Sequence, residues 1–283
     1  MDRFGPMQTL SERLFRRFPW LHPKLAREIL MIVKEMGSRK TESRVATLDN
    51  IANFSAHVRD AWVAQMAASL RPGSRVLDAG AGECRYRKYF SHCEYKTQDF
   101  AEYQGTTTGV LVESWSYGRL DYHCDITSLP VEDNIFDAVL CTEVLEHVPR
   151  PIAALQEISR VLARNGRLFL TAPLGSGLHQ QPYHFYGGYT PHFYTRFLAE
   201  CGLEILKLIP IGGLMQNVAQ ETYRAGRVLA EKAPHELPTF IRFMLTDWLP
   251  RYLAKCDGRI AVEEFTLGYL VEAVKVRQVD PKS

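Results

Sequence analysis

The sequence predicts an α/β protein, doubly wound on a mostly parallel sheet. Three observations carry this reading. Short apolar runs of strand length alternate with helical segments from about residue 59 onward. The strand candidates are dominated by apolar residues, as expected where helices cover both faces of a sheet. Several of these runs end in an acidic residue or a glycine-rich turn, at the strand ends where open α/β sheets receive ligands.

The elements follow in order. Ala61 to Leu70 reads as a helix stopped by Pro72-Gly73. Ser74 to Asp78 is a short apolar strand leading into a Gly-rich turn. Tyr95 to Asp99 and Leu120 to Asp125 are strands ending in Asp, and Phe136 to Cys141 is a fourth. Pro151 to Ala163 places Ile152, Leu155, Ile158 and Leu162 on one helical face. Arg164-Asn165-Gly166 would end that helix by a glycine cap. Arg167 to Thr171 is a fifth strand, Pro191 to Cys201 a helix, Glu204 to Ile209 a sixth strand and Phe265 to Val276 a seventh. Asn217 to Glu231 and Phe240 to Lys255 have helical character. They are expected to form an insertion, about 211–262, over the ligand-binding edge of the sheet.

Composition sets the bounds. A chain of 283 residues, 46% hydrophobic and 23% charged, is globular and has room for one large domain or two small ones. The formal net charge of +2 provides no global field for nucleic acid or an anionic membrane. No run of ~18 apolar residues is present, so no stable membrane insertion is expected. Met1 to Pro23 carries Arg13, Arg16 and Arg17 and lacks an apolar signal core, which makes a cytoplasmic protein the expectation. Residues 1–58 read as a helical extension, with ten Lys/Arg against five Asp/Glu up to Arg44 and helical spacing over Leu25 to Met36. The run Leu14-Phe-Arg-Arg-Phe-Pro-Trp-Leu21 is expected to cover the active site rather than to touch nucleic acid. Residues 59–283 form the main domain in this reading. No two of the six cysteines have C-x-x-C spacing, which favours free thiols.

The chemistry begins at Val76-Leu-Asp-Ala-Gly-Ala-Gly-Glu-Cys84. Gly80 and Gly82 permit positive φ and close backbone approach to a ligand. A dinucleotide fingerprint wants a small third residue; that position is Arg85, which argues against a nicotinamide oxidoreductase. Seventeen residues past Gly82, Asp99 can accept from both hydroxyls of a ribose. Asp125, followed by Ile126, can accept from an adenine amino group while the apolar neighbour packs on the ring. Asp125 as a helix N-cap is the structural alternative.

Together with Leu129-Pro-Val-Glu-Asp-Asn-Ile-Phe-Asp-Ala-Val-Leu-Cys-Thr-Glu-Val-Leu-Glu-His-Val148, these residues resemble class I S-adenosylmethionine (SAM)-dependent methyltransferases, in the small-molecule group with an L-P-F-x-x-x-x-F-D signature. The resemblance covers roughly residues 60–210 and the last strand. It implies a Rossmann-like, seven-stranded sheet with an antiparallel last strand, and SAM as cofactor with S-adenosylhomocysteine as product. It further implies that Gly80 and Gly82 pass the methionine moiety, Asp78 lies near its ammonium, Asp99 holds the ribose, and Asp125 with Ile126 holds the adenine. Ala81, Phe100 and Thr142 complete the expected cofactor contacts. Glu83 stands where the family has its third glycine.

Methyl transfer from a sulfonium needs alignment and exclusion of water, and a base only where the acceptor carries a departing proton. Two clusters meet that requirement. In Thr142-Glu-Val-Leu-Glu-His147, Glu143 and His147 are spaced to share a helix face, with Glu143 a substrate contact and His147 a candidate base. Residues 173–194 hold His179, His184 and His192 among four tyrosines, at the position where this family builds its acceptor pocket. Within it His184 is a second candidate base, and His179, Tyr183, Tyr186 and Tyr189 are candidate substrate contacts. The spacing of the three histidines puts them on no common helix face, so no metal is expected. Gln216, after Gly212-Gly213, is a candidate lid contact. Phe240 to Leu253 is expected in the core, with a dimer interface or an apolar acceptor groove as alternatives.

The resulting expectation is methyl transfer to an O or N atom of a small-molecule or carrier-linked acceptor, with sugar-containing or secondary-metabolite acceptors preferred. Nucleic acid is not an expected partner, and a homodimer remains open. A non-catalytic SAM-binding subunit and a lipid or quinone methyltransferase are the alternatives.

Overall fold

The computed structural model describes residues 50–105, 115–260 and 262–277. The expected helix over Leu25 to Met36, the basic-aromatic run before it and most of the 1–58 extension lie outside the described residues.

Seven strands form one sheet in the order β3-β2-β1-β4-β5-β7-β6. They are β1 (Arg75–Ala79), β2 (Glu94–Asp99), β3 (Tyr122–His123), β4 (Phe136–Thr142), β5 (Leu162–Pro173), β6 (Leu203–Pro210) and β7 (Gly268–Lys275). β1 pairs in parallel with β2 and β4, β2 with β3, and β4 with β5. β7 runs antiparallel between β5 and β6. The order reverses between β1 and β4, where an open sheet leaves a crevice beyond its carboxyl ends.

Alternation along each strand sends neighbours to opposite faces. Val139 and Cys141 of β4 join a core beneath α2 (Pro151–Val161) and α3 (Pro191–Glu200), with Leu155, Ile158 and Leu198. Ala138 and Leu140 join the opposite core, with Trp62, Val63 and Met66 of α1 (Phe54–Ala68). Trp62 meets Phe169 of β5 edge-on, with ring centroids 6.0 Å apart. Each such fully buried aliphatic side chain contributes about 1.5–3 kcal/mol.

The turn after α2 differs from the glycine cap that the sequence suggests. The helix ends at Val161, and Leu162 is already extended. The left-handed residue is Asn165, at φ 63°. Gly166 is needed for room instead: a Cβ there would lie 2.8 Å from the Ala163 carbonyl oxygen and 3.1 Å from that of Phe136.

The insertion is helical but does not cover the central crevice. It comprises α4 (Leu214–Lys232), α5 (Thr239–Phe243), a π-helical turn (Met244–Trp248) and α6 (Leu249–Asp257). It follows β6, an edge strand separated from β4 by β5 and β7. The helices pack on one another: a Cβ on Gly226 of α4 would meet Thr246 at 2.7 Å. Asp257 accepts the amides of Gly213 and Gln216 at 3.0 Å each, satisfying donors that the first turn of α4 leaves free. The apolar run at 240–253 is half-buried against α4 rather than core, with Pro250 its one fully buried residue. Among the described residues no helix is long and apolar enough to cross a membrane.

Candidate functional site

A cavity of about 780 Å³ opens over the carboxyl ends of β1, β2 and β4. β1 delivers Asp78 and the turn behind it. Gly80 and Gly82 sit at φ 78° and 51°, and the third left-handed residue is Cys84 at 56°. Glu83, at the family's third glycine, therefore needs no left-handed backbone. A Cβ on Gly80 would fall 2.3 Å from a methyl of Val144, and one on Gly82 would fall 2.9 Å from the Trp115 indole.

Asp78 is 1% exposed and receives the Tyr95 hydroxyl. Burial raises its pKa to about 7; the Tyr95 hydrogen bond and Arg87 oppose the rise, and Asp99 adds to it. Asp99 ends β2 and stays partly open. One oxygen accepts the Gly82 amide at 2.8 Å and the other accepts the Ala101 amide at 2.9 Å. Each carboxylate oxygen has a further lone pair for a hydroxyl donor. Asp125 lies just past β3 and forms a local turn, accepting both the amide and the hydroxyl of Thr127 at 2.8 Å through one oxygen. It caps no helix, and Ile126 beside it is buried.

All nine expected cofactor contacts line this cavity: Asp78, Gly80, Ala81 and Gly82 from the β1 turn, Asp99 and Phe100 after β2, Asp125 and Ile126 after β3, and Thr142 at the end of β4. This donor set fits the group. It offers a buried acid for a cation, a strand-end carboxylate for a diol, and a third acid beside an apolar side chain for a base.

The other predicted residues divide. His147, Glu143 and Tyr183 line the cavity. Glu143 and His147 do not share a helix face as their spacing suggests. Glu143 is left-handed at φ 55°, and His147 closes a 3₁₀ turn, Leu145–His147. Glu143 accepts the Thr171 hydroxyl at 2.8 Å and pairs with Arg59 at 3.2 Å. Burial drives the His147 pKa down to about 4; its bond to Tyr183 opposes the shift, and the neighbouring His179 and His184 add to it. Its Nδ1 donates to the Tyr183 carbonyl at 2.8 Å.

His179, His184, Tyr186, Tyr189 and Gln216 lie off the cavity wall. Tyr189 is buried in the core and its hydroxyl donates to the Leu145 carbonyl at 2.7 Å. Tyr186 donates to the Pro149 carbonyl at 3.0 Å. Gln216 is 3% exposed inside the insertion. None of these three, expected as substrate contacts, lines this cavity. His184 sits behind His147, with ring centroids 5.7 Å apart.

Sequence reasoning missed an aromatic wall and a cation. Tyr103, Trp115 and Tyr117 line the cavity, with Trp115 edge-on to both tyrosines at 5.6 and 6.0 Å. They fall in a segment without periodicity, so no pattern marked them. Arg59 enters the lining from α1, the helix before β1. Burial opposes its charge, but Glu143, Tyr86 and Asp60 outweigh burial and raise its pKa.

Residues 77–170 match a family model described as a methyltransferase domain. Over 116 residues the chain is 34% identical to the probable tRNA methyltransferase 9B of Mus musculus, a match spanning 39% of this chain and 24% of that one. Over 155 residues it is 26% identical to a sarcosine/dimethylglycine N-methyltransferase of Halorhodospira halochloris, spanning 50% of this chain and 56% of the relative. Both matches thus cover less than two thirds of the relative's length. A solved structure of a sarcosine dimethylglycine methyltransferase homologue from Galdieria sulphuraria shares the fold, with TM-score 0.50, 18% identity, and coverage of 78% of this chain and 85% of that one.

Proposed function

We propose that this chain, which carries the domain of class I SAM-dependent methyltransferases, moves a methyl group from SAM to an O or N atom of a small-molecule or carrier-linked acceptor. One observation carries the reading. A single cavity is lined by the acids of three strand ends and also by Glu143, His147 and Tyr183, so cofactor and acceptor groups share one space.

When bound, SAM supplies an electrophilic methyl on a sulfonium, which leaves as a neutral thioether. The chain's own residues then have three tasks. Asp99 accepts from the ribose hydroxyls, while Asp125 and Ile126 hold the base. Asp78 balances the amino-acid cation. On the acceptor side, the His147 Nδ1–H is committed to a carbonyl, which leaves its Nε2 lone pair for an acceptor proton. Phe100, Tyr183 and Phe185 line the outer wall, where Phe100 and Phe185 remain exposed and would lose water only when an acceptor covers them.

The preference for small acceptors is supported by the near-neutral net charge. The similarity to a protein named as a probable tRNA methyltransferase makes tRNA the comparison to run. The test is calorimetry with SAM and S-adenosylhomocysteine, followed by transfer of labelled methyl to panels of small acceptors and to total tRNA. Labelled small products support the proposal. Labelled tRNA alone, or binding without turnover on any panel, replaces it.

A further inference from the structure

The loop between β5 and α3 returns over the turn that follows β4 and gathers imidazoles that are far apart in sequence. The Glu146 carbonyl accepts the amides of Phe185 at 2.9 Å and Tyr186 at 3.2 Å, so the loop is hung on that turn. This brings His179 to His147, with ring centroids 4.8 Å apart and nearly perpendicular, and His184 to His179, at 4.4 Å. Ligand atoms of Glu146, His147 and His179 all lie within 4.8 Å of one another. We propose that Glu146, His147 and His179 bind a divalent transition-metal ion.

Three features support this beyond proximity. First, each imidazole is oriented as metal-ligating histidines are, with one ring nitrogen held by a carbonyl. The Nδ1 of His147 donates to the Tyr183 carbonyl at 2.8 Å, and that of His179 to the Gly177 carbonyl at 2.9 Å, which leaves each Nε2 to a ligand, with that of His147 3.9 Å from Glu146 Oε1. Second, Glu146 is 1% exposed, and its Oε2 has no hydrogen-bond partner. A buried carboxylate oxygen without a donor is costly, and a cation supplies what is missing. Third, the set is two imidazoles and one carboxylate. That composition suits Zn²⁺, Co²⁺, Mn²⁺ or Fe²⁺, where Mg²⁺ and Ca²⁺ prefer all-oxygen shells.

Tetrahedral coordination at about 2.1 Å puts ligands about 3.4 Å apart, so side-chain rotations of roughly 1 Å close the site. Three protein ligands leave one position open, and His184 is the further imidazole within reach. Its Nε2 contacts the Ser176 hydroxyl at 3.2 Å, which in turn donates to the Gly187 carbonyl at 3.0 Å. The three residues meet because a loop crosses a turn, not because they share a helix face. Because His147 also lines the cavity, the ion stands at the cavity's edge, where it takes the His147 Nε2 lone pair and polarises an acceptor oxygen in place of a histidine base. That consequence rests on the methyl-transfer reading; metal binding itself does not.

The full chain, stripped with a chelator, is titrated with Zn²⁺ against a chromogenic competitor and with Co²⁺ by visible absorption. One equivalent is expected to bind. His179→Ala and Glu146→Gln should each weaken binding by more than the roughly 10–100-fold that losing an outer partner costs a metal site. His192→Ala, on the exposed side of α3, should leave it unchanged. No stoichiometric binding by the wild type, or equal affinity in His179→Ala, overturns the proposal. Should Glu146→Gln fail to fold, His179→Ala decides. SAM affinity of the stripped protein, measured separately, reports on the methyl-transfer reading alone.

Discussion

The Asp99 carboxylate accepts the Gly82 amide at 2.8 Å, which ties the end of β2 to the glycine turn of β1. One side chain thus shapes the turn and faces the cavity. Asp99→Ala should weaken SAM binding at least tenfold by calorimetry. It should also lower stability by about 1–3 kcal/mol, because it strands the two amides that Asp99 now satisfies. Unchanged affinity in a folded Asp99→Ala protein would remove the ribose role.

Gly80 combines φ 78° with a neighbour that leaves no room for a Cβ. Gly80→Ala should cost about 1–2 kcal/mol from the left-handed backbone alone, and more from overlap with Val144. Adding Val144→Ala should recover the overlap part and leave the backbone part. Urea midpoints of the two single variants and the double variant measure this; strictly additive losses would contradict it.

Asp78 sets a pH dependence. Its pKa of about 7 lies above the ~3.9 of an unfolded Asp, so between those values the folded state holds a proton that the unfolded state releases. Its contribution to stability is therefore full below pH ~4 and is lost as pH rises through about 7, a change on the order of 4 kcal/mol. A ligand cation favours the ionised form, so SAM affinity should climb by up to about tenfold per pH unit below 7 and then level off. The groups acting on Asp78 are Tyr95, Asp99 and Arg87. Asp78→Asn should flatten both profiles, and a SAM affinity independent of pH in the wild type would refute the assignment.

Arg59 and Glu143 form a pair at 3.2 Å, with side chains 12% and 29% exposed. Arg59→Ala leaves Glu143 beside the buried Glu146 without its cation. The loss should fall near or below the low end of the roughly 3–5 kcal/mol seen for broken buried pairs, because Glu143 is partly wet. Thermal melts of Arg59→Ala and Arg59→Lys, with the lysine variant intermediate, check this.

How much was legible follows from what each residue depends on. Asp78, Gly80, Gly82, Asp99 and Asp125 were readable because a parallel sheet sends every strand end to one side, so sequence order alone brings them together. Arg59, Tyr103, Trp115 and Tyr117 were not, because a mid-helix position before β1 and an aperiodic loop leave no strand-end or spacing signal. Gln216 illustrates the converse error. Helical spacing identified its helix, but the helix follows an edge strand, away from the cavity. Tyr189 suits a pocket wall by sequence but sits in the core, since an apolar ring with a satisfied hydroxyl suits either place.

The sequence by itself determined the seven-strand alternation and the acids around a glycine turn, because hydrophobic period and strand-end position are local properties. Only the tertiary structure decided which of the histidines and tyrosines after β5 meet the turn after β4. That choice depends on a loop hung from the Glu146 carbonyl, a contact between residues 39 and 40 positions apart that no local pattern encodes.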